Sequence, residues 1–274
     1  MDKERLYKIV IVILLAVVLV MGLIMILKRT PKETKGLPSA RVTKPSKGII
    51  GKIAIVIDDV GYNLANLNII DGLKYPITFS VLPGLDFSES AARELNSRGF
   101  QIILHLPMEP KEKKKLEINT ILTSMDEALI RSIIESDLTA LPKAKGVSNH
   151  MGSKVTEDEK AMSVVLDELK SKHMFFLDSF VTANSVAKQI AEKKQIKFVQ
   201  RDVFLDNSLD PGYIRQQISL LKQKARLKGQ AVGIGHDRKI TLEILKEEMP
   251  KMEKEGYKFV FVSELARQEN RLRR

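Results

Sequence analysis

KIAIVIDD, residues 52–59, is a run of apolar and mostly β-branched residues that ends abruptly in two carboxylates, Asp58 and Asp59. A strand that is apolar at every position is typical of a parallel sheet, because helices cover both of its faces. The run therefore predicts a buried parallel strand, and the two acidic residues mark the point where that strand leaves the core.

Apolar runs of the same kind alternate along the chain with helical patterns. Further strands are predicted at residues 77–82, 101–106, 146–149, 174–177, 197–199, 231–234 and 258–262. Apolar spacings of three and four predict helices at residues 88–98, 124–140, 157–172, 183–194, 212–228 and 241–255. Thr156 with Glu159 indicates a capping box, and Asp210-Pro211 marks another helix start. This alternation predicts a parallel β/α architecture, either a closed barrel or a doubly wound sheet.

The composition narrows the classes of site that the chain can hold. Its 274 residues include no cysteine, which excludes disulfide scaffolds, thiolate zinc sites, iron–sulfur clusters and thiol nucleophiles. The net charge is +11, but residues 1–50 carry ten basic and three acidic residues and so hold most of the excess. In residues 51–274 the numbers of basic and acidic residues are nearly equal, and basic and aromatic residues are not interleaved. We therefore expect no nucleic-acid partner.

An uncharged stretch of 19 residues, 9–27, precedes the domain. At about 1.5 Å rise per residue, a helix of this length spans the roughly 30 Å hydrocarbon core of a bilayer. The stretch is longer than the apolar core of about 7–15 residues in a signal peptide, and Lys28 and Arg29 follow it at once. These features favour an uncleaved signal anchor over a cleaved signal peptide or a buried helix.

Four regions follow from these patterns. We expect a cytoplasmic stub and signal anchor over residues 1–27, a solvated linker over 28–50, a folded domain over 51–265 and a basic tail over 266–274. Basic residues flank the anchor almost equally, so the positive-inside rule does not fix its orientation. The short stub favours a protein that is tethered to the membrane with its domain on the extracytoplasmic side.

Polar side chains follow the predicted strands at their carboxyl ends, where the sites of parallel β/α folds lie. The residues concerned are Asp58, Asp59, His105, Glu109, Asn149, His150, Asp178, Ser179, His236 and Asp237. A single polar residue at a strand end is ordinary and serves as a turn or capping residue. So many at one rim, including three of the four histidines, predict a functional cluster.

The adjacent carboxylates Asp58 and Asp59 indicate a cation at this rim. Two carboxylates in one place repel each other, and one pKa rises unless a positive charge compensates. Imidazole nitrogens with one carboxylate suit Zn²⁺ and similar transition metals, and they leave positions for water and substrate. The second carboxylate can then accept a proton. We therefore predict one divalent metal, with zinc as the expected ion.

Seven short motifs, in order, resemble the divergent polysaccharide deacetylase family, a distant branch of the NodB-like carbohydrate esterases. The motifs are IVIDDVGYN (55–63), FSVLPG (79–84), LHLPMEP (104–110), GVSNHMGS (146–153), FFLDS (175–179), RDVFLDN (201–207) and GIGHD (233–237). The resemblance runs through about residues 50–265. It implies a distorted (β/α)7 barrel of the NodB type, which carries a metal-dependent hydrolase site.

The resemblance also implies roles for the metal ligands. Asp59 matches the aspartate that binds the metal, and His105 matches the first histidine of the superfamily's His-x-x-x-His motif. Glu109 stands where that motif has its second histidine. We therefore expect His150, from the next strand end, to complete the metal site, with Glu109 as a substitute ligand or as a hydrogen-bond partner of a ligand.

The implied reaction is hydrolysis of acetyl groups on an envelope or extracellular polysaccharide, with metal-bound water as the nucleophile. By the same match, Asp58 is the catalytic base and His236 the general acid. Asp178 is expected to orient His236 or Asp58, Asn149 to contact substrate or hold a ligand, and Arg201 to orient the base. The altered ligand motif and the absence of tryptophan leave an alternative. It is a catalytically inactive, membrane-tethered carbohydrate-binding or scaffold protein of the cell envelope.

Overall fold

The computed structural model describes residues 48–268, together with the isolated residues 2, 16, 20 and 21. The predicted membrane span, residues 9–27, lies outside the described residues except at three positions. Within the described residues, no helix combines the length and the apolar character that crossing a bilayer requires.

One sheet of nine strands organises the described domain. The strands are β1 (Gly51–Val60), β2 (Ile77–Val81), β3 (Gln101–Met108), β4 (Gly146–Met151), β5 (Phe175–Asp178), β6 (Phe198–Gln200), β7 (Val203–Phe204), β8 (Gln230–His236) and β9 (Tyr257–Phe259). Their order is β6-β5-β4-β3-β2-β1-β8-β7, and β9 pairs with β1. Every ladder between these strands is parallel, which confirms the predicted parallel β/α architecture.

Helices connect most of the strands. They are α1 (Leu67–Ile70), α2 (Ser88–Ser97), α3 (Glu127–Ala140), α4 (Glu159–Ser171), α5 (Ala187–Lys194), α6 (Pro211–Lys228), α7 (Lys239–Glu255) and α8 (Val262–Leu265). All six helices expected from the sequence are present, and α1 and α8 are additional short ones.

The helix starts differ in how well the sequence marks them. Asp210 caps α6 and Pro211 opens it, as predicted. The predicted capping box at Thr156 is wrong, because the side chain of Asp158 caps α4 instead. Thr156 lies in a 3-10 turn, Val155–Glu157, just before that helix.

The sheet curls, and its inner face holds an apolar core distinct from the one under the helices. The inner core consists of Ala54, Val56, Ile103, Phe175, Leu177, Val199, Val232, Ile234, Val260, Val262, Leu265 and Ala266. Strand alternation decides which residues face it: in β1, Ala54 and Val56 point inward. Two residues further along β1, the same alternation directs Asp58 inward, and in β8 it does so for His236. The rim residues therefore stand at the open end of this inner core.

A seam interrupts the curled sheet. β6 and β7 stand at the two ends of the strand order, and within the described residues no ladder joins them. Residues between these strands bridge part of the gap. Arg201 donates its backbone N–H to Asp178 on β5, and Asp202 donates its own to Val232 on β8. The sheet is therefore a curled half-barrel rather than an evenly closed barrel.

The folded domain continues past its predicted boundary. The last predicted strand, 258–262, ends early at Phe259, and α8 follows it into the inner core. Beyond α8, the backbone of Arg267 pairs with Phe198 of β6 in an antiparallel bridge. Residues 266–268 are thus part of the domain and not of a tail.

Candidate functional site

The end of β1 brings two carboxyl groups to one place because the strand is irregular there. The pairing with β2 shifts between Ile57 and Val60, so that β1 holds one extra residue. Within this bulge Asp59 has a left-handed backbone with φ of 60°, a conformation that aspartate tolerates better than most residues. Asp58 continues the inward alternation of β1, and the turned backbone sets Asp59 beside it.

Asp59, His105 and His150 come together at this rim. Asp59 Oδ1 lies 3.0 Å from Nδ1 of His150 and 3.3 Å from Nε2 of His105. One potential ligand atom of each side chain lies within 4.8 Å of the other two. The two imidazoles pack edge to face, with ring centroids 5.0 Å apart. These are the three side chains that the sequence predicts as metal ligands.

The donor atoms of this cluster fit a divalent cation. His105 Nδ1 lies 2.8 Å from Ser148 Oγ, which leaves Nε2 as the atom that faces the carboxyl groups. Asp58 Oδ1 and His150 Nε2 are buried and have no hydrogen-bond partner among the described residues. Such atoms are rare in folded proteins, because each costs about 1–3 kcal/mol. A group from outside the chain is therefore expected here, and a carboxylate with two imidazoles suits zinc.

The two adjacent carboxyl groups differ in their affinity for protons. Burial raises the pKa of Asp58, and although His105 opposes this effect, Asp59 adds to it. Burial also acts on Asp59, but hydrogen bonds and charges from His105 and His150 outweigh it and hold the pKa of Asp59 well below its usual range. Asp59 is thus a permanent anion that suits a metal ligand, whereas Asp58 accepts a proton more readily.

His236 approaches the same carboxylate from β8. Its Nε2 lies 4.0 Å from Oδ2 of Asp59, and its Nδ1 lies 2.7 Å from Oδ1 of Asp206. The other oxygen of Asp206 accepts the backbone N–H of His236 and the hydroxyl of Thr241. Burial lowers the pKa of His236, but the hydrogen bond and the charge of Asp206 prevail, so the net shift is upward. The imidazole is therefore well placed to carry a proton.

Asp206 is not among the residues that the sequence predicts for the site. It follows β7, a strand of only two residues, Val203 and Phe204, which is too short to give a recognisable pattern. Had β7 been predicted, Asp206 would have counted among the candidate site residues, because these were chosen at the carboxyl ends of strands.

Arg201 acts on the site through other residues and not through a hydrogen bond to Asp58. Its guanidinium donates to backbone carbonyls of residues 179–180 at 2.6 and 2.7 Å, and so fixes the loop after β5. It also lies 3.6 Å from the centre of the Phe204 ring, which in turn stacks on His236 with centroids 6.0 Å apart. The expected part of Arg201 in orienting the base stays a prediction, because its hydrogen bonds go to the loop and only its charge acts on Asp58.

Asp178 serves the loop that follows it. One carboxylate oxygen accepts the backbone N–H of Phe180 and the other accepts the hydroxyl of Ser185, both at 2.7 Å. The predicted hydrogen bond to His236 or Asp58 is thus replaced by two local ones.

Asn149 holds the end of β4, where His150 lies. Its Oδ1 accepts the backbone N–H of Ser179 at 2.8 Å, and its Nδ2 donates to the carbonyl of Met151 at 2.7 Å. The side chain is buried, which leaves no room for contact with a polymer. Of its two predicted roles, the structure favours holding a ligand over contacting substrate.

Glu109 does not take the place of the missing histidine. One oxygen of its carboxylate accepts the backbone N–H and the hydroxyl of Thr123, both at 2.9 Å, and the other pairs with Lys154 at 2.6 Å. Both oxygens are therefore engaged away from Asp59 and His105. The predicted role as a substitute ligand is not supported, because the cluster that could hold a cation combines Asp59 and His105 with His150 and not with Glu109.

A family model described as divergent polysaccharide deacetylase matches residues 55–266. The chain belongs to that family. Among proteins similar to this chain is the uncharacterized protein YibQ of Escherichia coli (strain K12), with 35% identity over 209 residues. The alignment covers 76% of this chain and 66% of the length of YibQ.

Two solved structures resemble the structure of this chain. The uncharacterized protein ATU2773 from Agrobacterium tumefaciens C58 has a TM-score of 0.74 at 21% identity, covering 81% of this chain and 91% of its own. A family 4 carbohydrate esterase from Streptomyces lividans, in complex with acetate, has a TM-score of 0.50 at 16% identity. The match covers 81% of this chain and 98% of the esterase chain. At these identities the likeness shows the fold alone, a curled parallel half-barrel of the NodB type.

Proposed function

We propose that the protein is a metal-dependent hydrolase that removes acetyl groups from an envelope or extracellular polysaccharide. One observation carries the proposal: each of three histidines, from three different strands, lies within 4.0 Å of the Asp59 carboxylate. The family description and the acetate bound to the Streptomyces esterase support the substrate class. The acetyl group sits on an amide nitrogen or an ester oxygen.

Asp59, His105 and His150 would hold the cation. A divalent ion such as zinc supplies Lewis acidity, which polarises a carbonyl and makes water a better nucleophile at neutral pH. The protein's part is to fix the donor atoms. His105 and His150 hold Asp59 as an anion, and the bulge of β1 keeps its carboxylate beside both rings.

Asp58 would act as the general base. Its carboxyl lies within 3.7 Å of Nε2 of His105, so it borders the position where the acetyl carbonyl is attacked. Burial raises its pKa, and a carboxylate with a raised pKa takes a proton from water more effectively than an ordinary one. This location and this affinity for protons suit the first half of an acyl transfer to water.

His236 would act as the general acid. Asp206 binds Nδ1, so Nε2 is the atom directed toward the reacting groups. The raised pKa of His236 keeps a proton available for the departing amine or alkoxide. Asp58 and His236 thus divide proton uptake and proton release between two neighbouring strands, β1 and β8.

The test combines metal content with acetate release by the full-length protein. Histidine-to-glutamine variants at His105 and His150 are compared with His173→Gln, because His173 lies before β5, away from the rim. We expect the wild type and the His173 variant to bind about one divalent ion per chain and to release acetate from N- or O-acetylated polysaccharides. The His105 and His150 variants should do neither. Bound metal without acetate release from either polymer class would favour the inactive, carbohydrate-binding alternative. A wild type that binds no metal after reconstitution would refute the metal-dependent mechanism.

We also propose that residues 9–27 tether the protein to a membrane, with the domain on the extracytoplasmic side. The uncharged length of that stretch, 19 residues, supports the proposal. Retention in membranes after an alkaline wash, together with degradation of the domain by protease added from outside, would agree with it. Release by the wash, or a domain that resists protease until the membrane is opened, would contradict it.

A further inference from the structure

Two serine hydroxyls stand in line behind His105. Ser148 Oγ lies 2.8 Å from Nδ1 of His105 and 2.6 Å from Oγ of Ser80. Ser148 is the direct partner of His105 in the ladder between β3 and β4, and Ser80 comes from β2 on the other side of β3. A line of two buried hydroxyls thus stands behind a candidate ligand.

These hydroxyls sit where apolar side chains would otherwise pack. Both serines have no exposed surface, and the inner-facing residues next to them on the sheet include Val56 and Ile103. A buried hydroxyl without a partner costs about 1–3 kcal/mol, whereas an alanine at the same place costs nothing of this kind. The pair is therefore explained by the hydrogen bonds it makes and not by the filling of space.

The direction of these hydrogen bonds depends on the tautomer of His105. With the proton on Nε2, Nδ1 accepts from Ser148, and Ser148 accepts from Ser80. With the lone pair of Nε2 given to a cation, Nδ1 carries the proton and must donate to Ser148. Ser148 then donates to Ser80. The same positions of the heavy atoms allow both directions.

We propose that Ser148 and Ser80 are positioning residues that hold His105 in the tautomer to which a cation binds. A cation on Nε2 of His105 aligns both hydroxyls away from the imidazole ring. In return, hydroxyls aligned in this direction stabilise the tautomer that binds a cation, because such coupling is reciprocal. The inference rests on the proposed function only in placing a cation at His105.

The experiment measures cobalt affinity and the ring tautomer in the full-length protein. Ser148→Ala, Ser80→Ala and the double variant are prepared free of metal and titrated with Co²⁺, which is followed by visible absorption. The ¹⁵N shifts of the His105 ring report its tautomer before metal is added. The matched control is Thr78→Val, which removes a fully buried hydroxyl two residues before Ser80 on the same strand.

We expect Ser148→Ala to weaken Co²⁺ binding by about 10–100-fold, the usual effect of removing a partner of a metal-binding histidine. It should also move the ¹⁵N shifts toward a mixture of tautomers. Ser80 acts through Ser148, so the double variant should bind no more weakly than Ser148→Ala alone. Thr78→Val should bind Co²⁺ like the wild type.

Wild-type affinity and unchanged ring shifts in Ser148→Ala would overturn the proposal. Additive losses in the double variant would overturn the coupling between the two hydroxyls. Should Ser148→Ala not fold, Ser80→Ala leaves the Ser148–His105 contact in place, and unchanged ring shifts in that variant would also count against the proposal. None of these readouts uses acetate release, so a protein that binds Co²⁺ without hydrolysing polysaccharide would refute the proposed function and leave this test intact.

Discussion

Asp206 Oδ1 lies 2.7 Å from Nδ1 of His236. The carboxylate has no freedom to turn away, because it is buried and its other oxygen is held by Thr241 and by the backbone of His236. The imidazole is therefore fixed with Nε2 on the side of Asp59. Carboxylate–histidine pairs of this kind orient an acid–base catalyst and stabilise its protonated form.

Replacing Asp206 by Asn is expected to lower kcat by about 10²-fold or more, because the general acid loses its orientation and its proton affinity. The charge of Asp206 raises the pKa of His236, so its removal lowers that pKa. The fall in activity on the alkaline side should therefore begin at lower pH than in the wild type. The measurement is kcat/KM for acetate release as a function of pH.

The matched control for that variant is Asp202→Asn. Asp202 also lies beside β7 and also accepts a backbone N–H, that of Val232 at 3.0 Å, but its other partner is Lys228. This variant should keep the alkaline limb of the wild type. An unshifted alkaline limb in Asp206→Asn would show that His236 is not the group that titrates there.

Phe204→Leu should lower kcat without affecting metal content. The Phe204 ring contacts the guanidinium of Arg201 and the imidazole of His236, neither of which is a candidate metal ligand. Stacking of this kind is worth about 0.5–1.5 kcal/mol, which corresponds to a loss of roughly 2- to 10-fold. If bound metal and kcat fell by the same factor, the Phe204 ring would be needed for the geometry of the candidate metal ligands as well as for that of His236.

Asp59 should be replaceable by Asn at less cost to the fold than by Ala. Asp59 has a left-handed backbone, which costs most residues about 1–2 kcal/mol and Asn much less. Both substitutions remove the carboxylate, so both should abolish metal binding. Urea denaturation in the presence of a chelator should find Asp59→Ala less stable than Asp59→Asn by about 1 kcal/mol. Equal stabilities would mean that the backbone relaxes at this position.

Asp137→Asn should stabilise the protein at neutral pH. Burial raises the pKa of Asp137 to about 6, although a hydrogen bond from Asn119 opposes this, and its Oδ2 has no partner among the described residues. The folded state thus binds this proton more tightly than the unfolded state does. Stability from this group is fully present below pH 3.8 and is lost as the pH rises through about 6.

The gain from Asp137→Asn should reach at most about 3 kcal/mol at pH 8 and vanish near pH 3.5. Denaturation midpoints of the wild type and the variant across this range provide the measurement. Glu135→Gln is the control, because Glu135 is an exposed acid on the same helix. A gain that does not depend on pH would point to packing and not to a buried charge.

The sequence was sufficient for the architecture and for the metal-site cluster because both follow from local patterns. Runs such as residues 53–57 mark buried strands, and parallel strands must present their carboxyl ends at one edge. That rule places the polar rim residues at one edge, and the resemblance to the deacetylase family selects Asp59, His105 and His150 among them. The bulge that turns Asp59 toward the two histidines leaves no such mark, since it depends on the register between β1 and β2.

The roles of Glu109, Asp178 and Asp206 could not be predicted from the sequence, because they depend on hydrogen-bond partners that only the folded structure brings together. Glu109 has the spacing of a ligand, but its carboxylate is taken by Thr123 and Lys154 from other segments. Asp178 stands at a strand end like the ligands do, yet its hydrogen bonds go to its own loop. Asp206 follows β7, which has only two residues and cannot be predicted from an apolar pattern. Competition among partners of similar chemistry is decided by tertiary geometry, which a linear pattern does not contain.

The strand order has a consequence for how the chain is made. β1 is synthesised first, but two of its neighbours are β8 and β9, and Lys52 of β1 pairs with Gln230 of β8. At the usual pace of translation of about 5–20 residues per second, one edge of β1 waits roughly 9–36 s for β8. The candidate ligand strands β1, β3 and β4 emerge well before β8 delivers His236. The residues proposed to hold the cation are therefore complete in the chain before the proposed acid, which would make metal capture an early event and catalytic competence a late one.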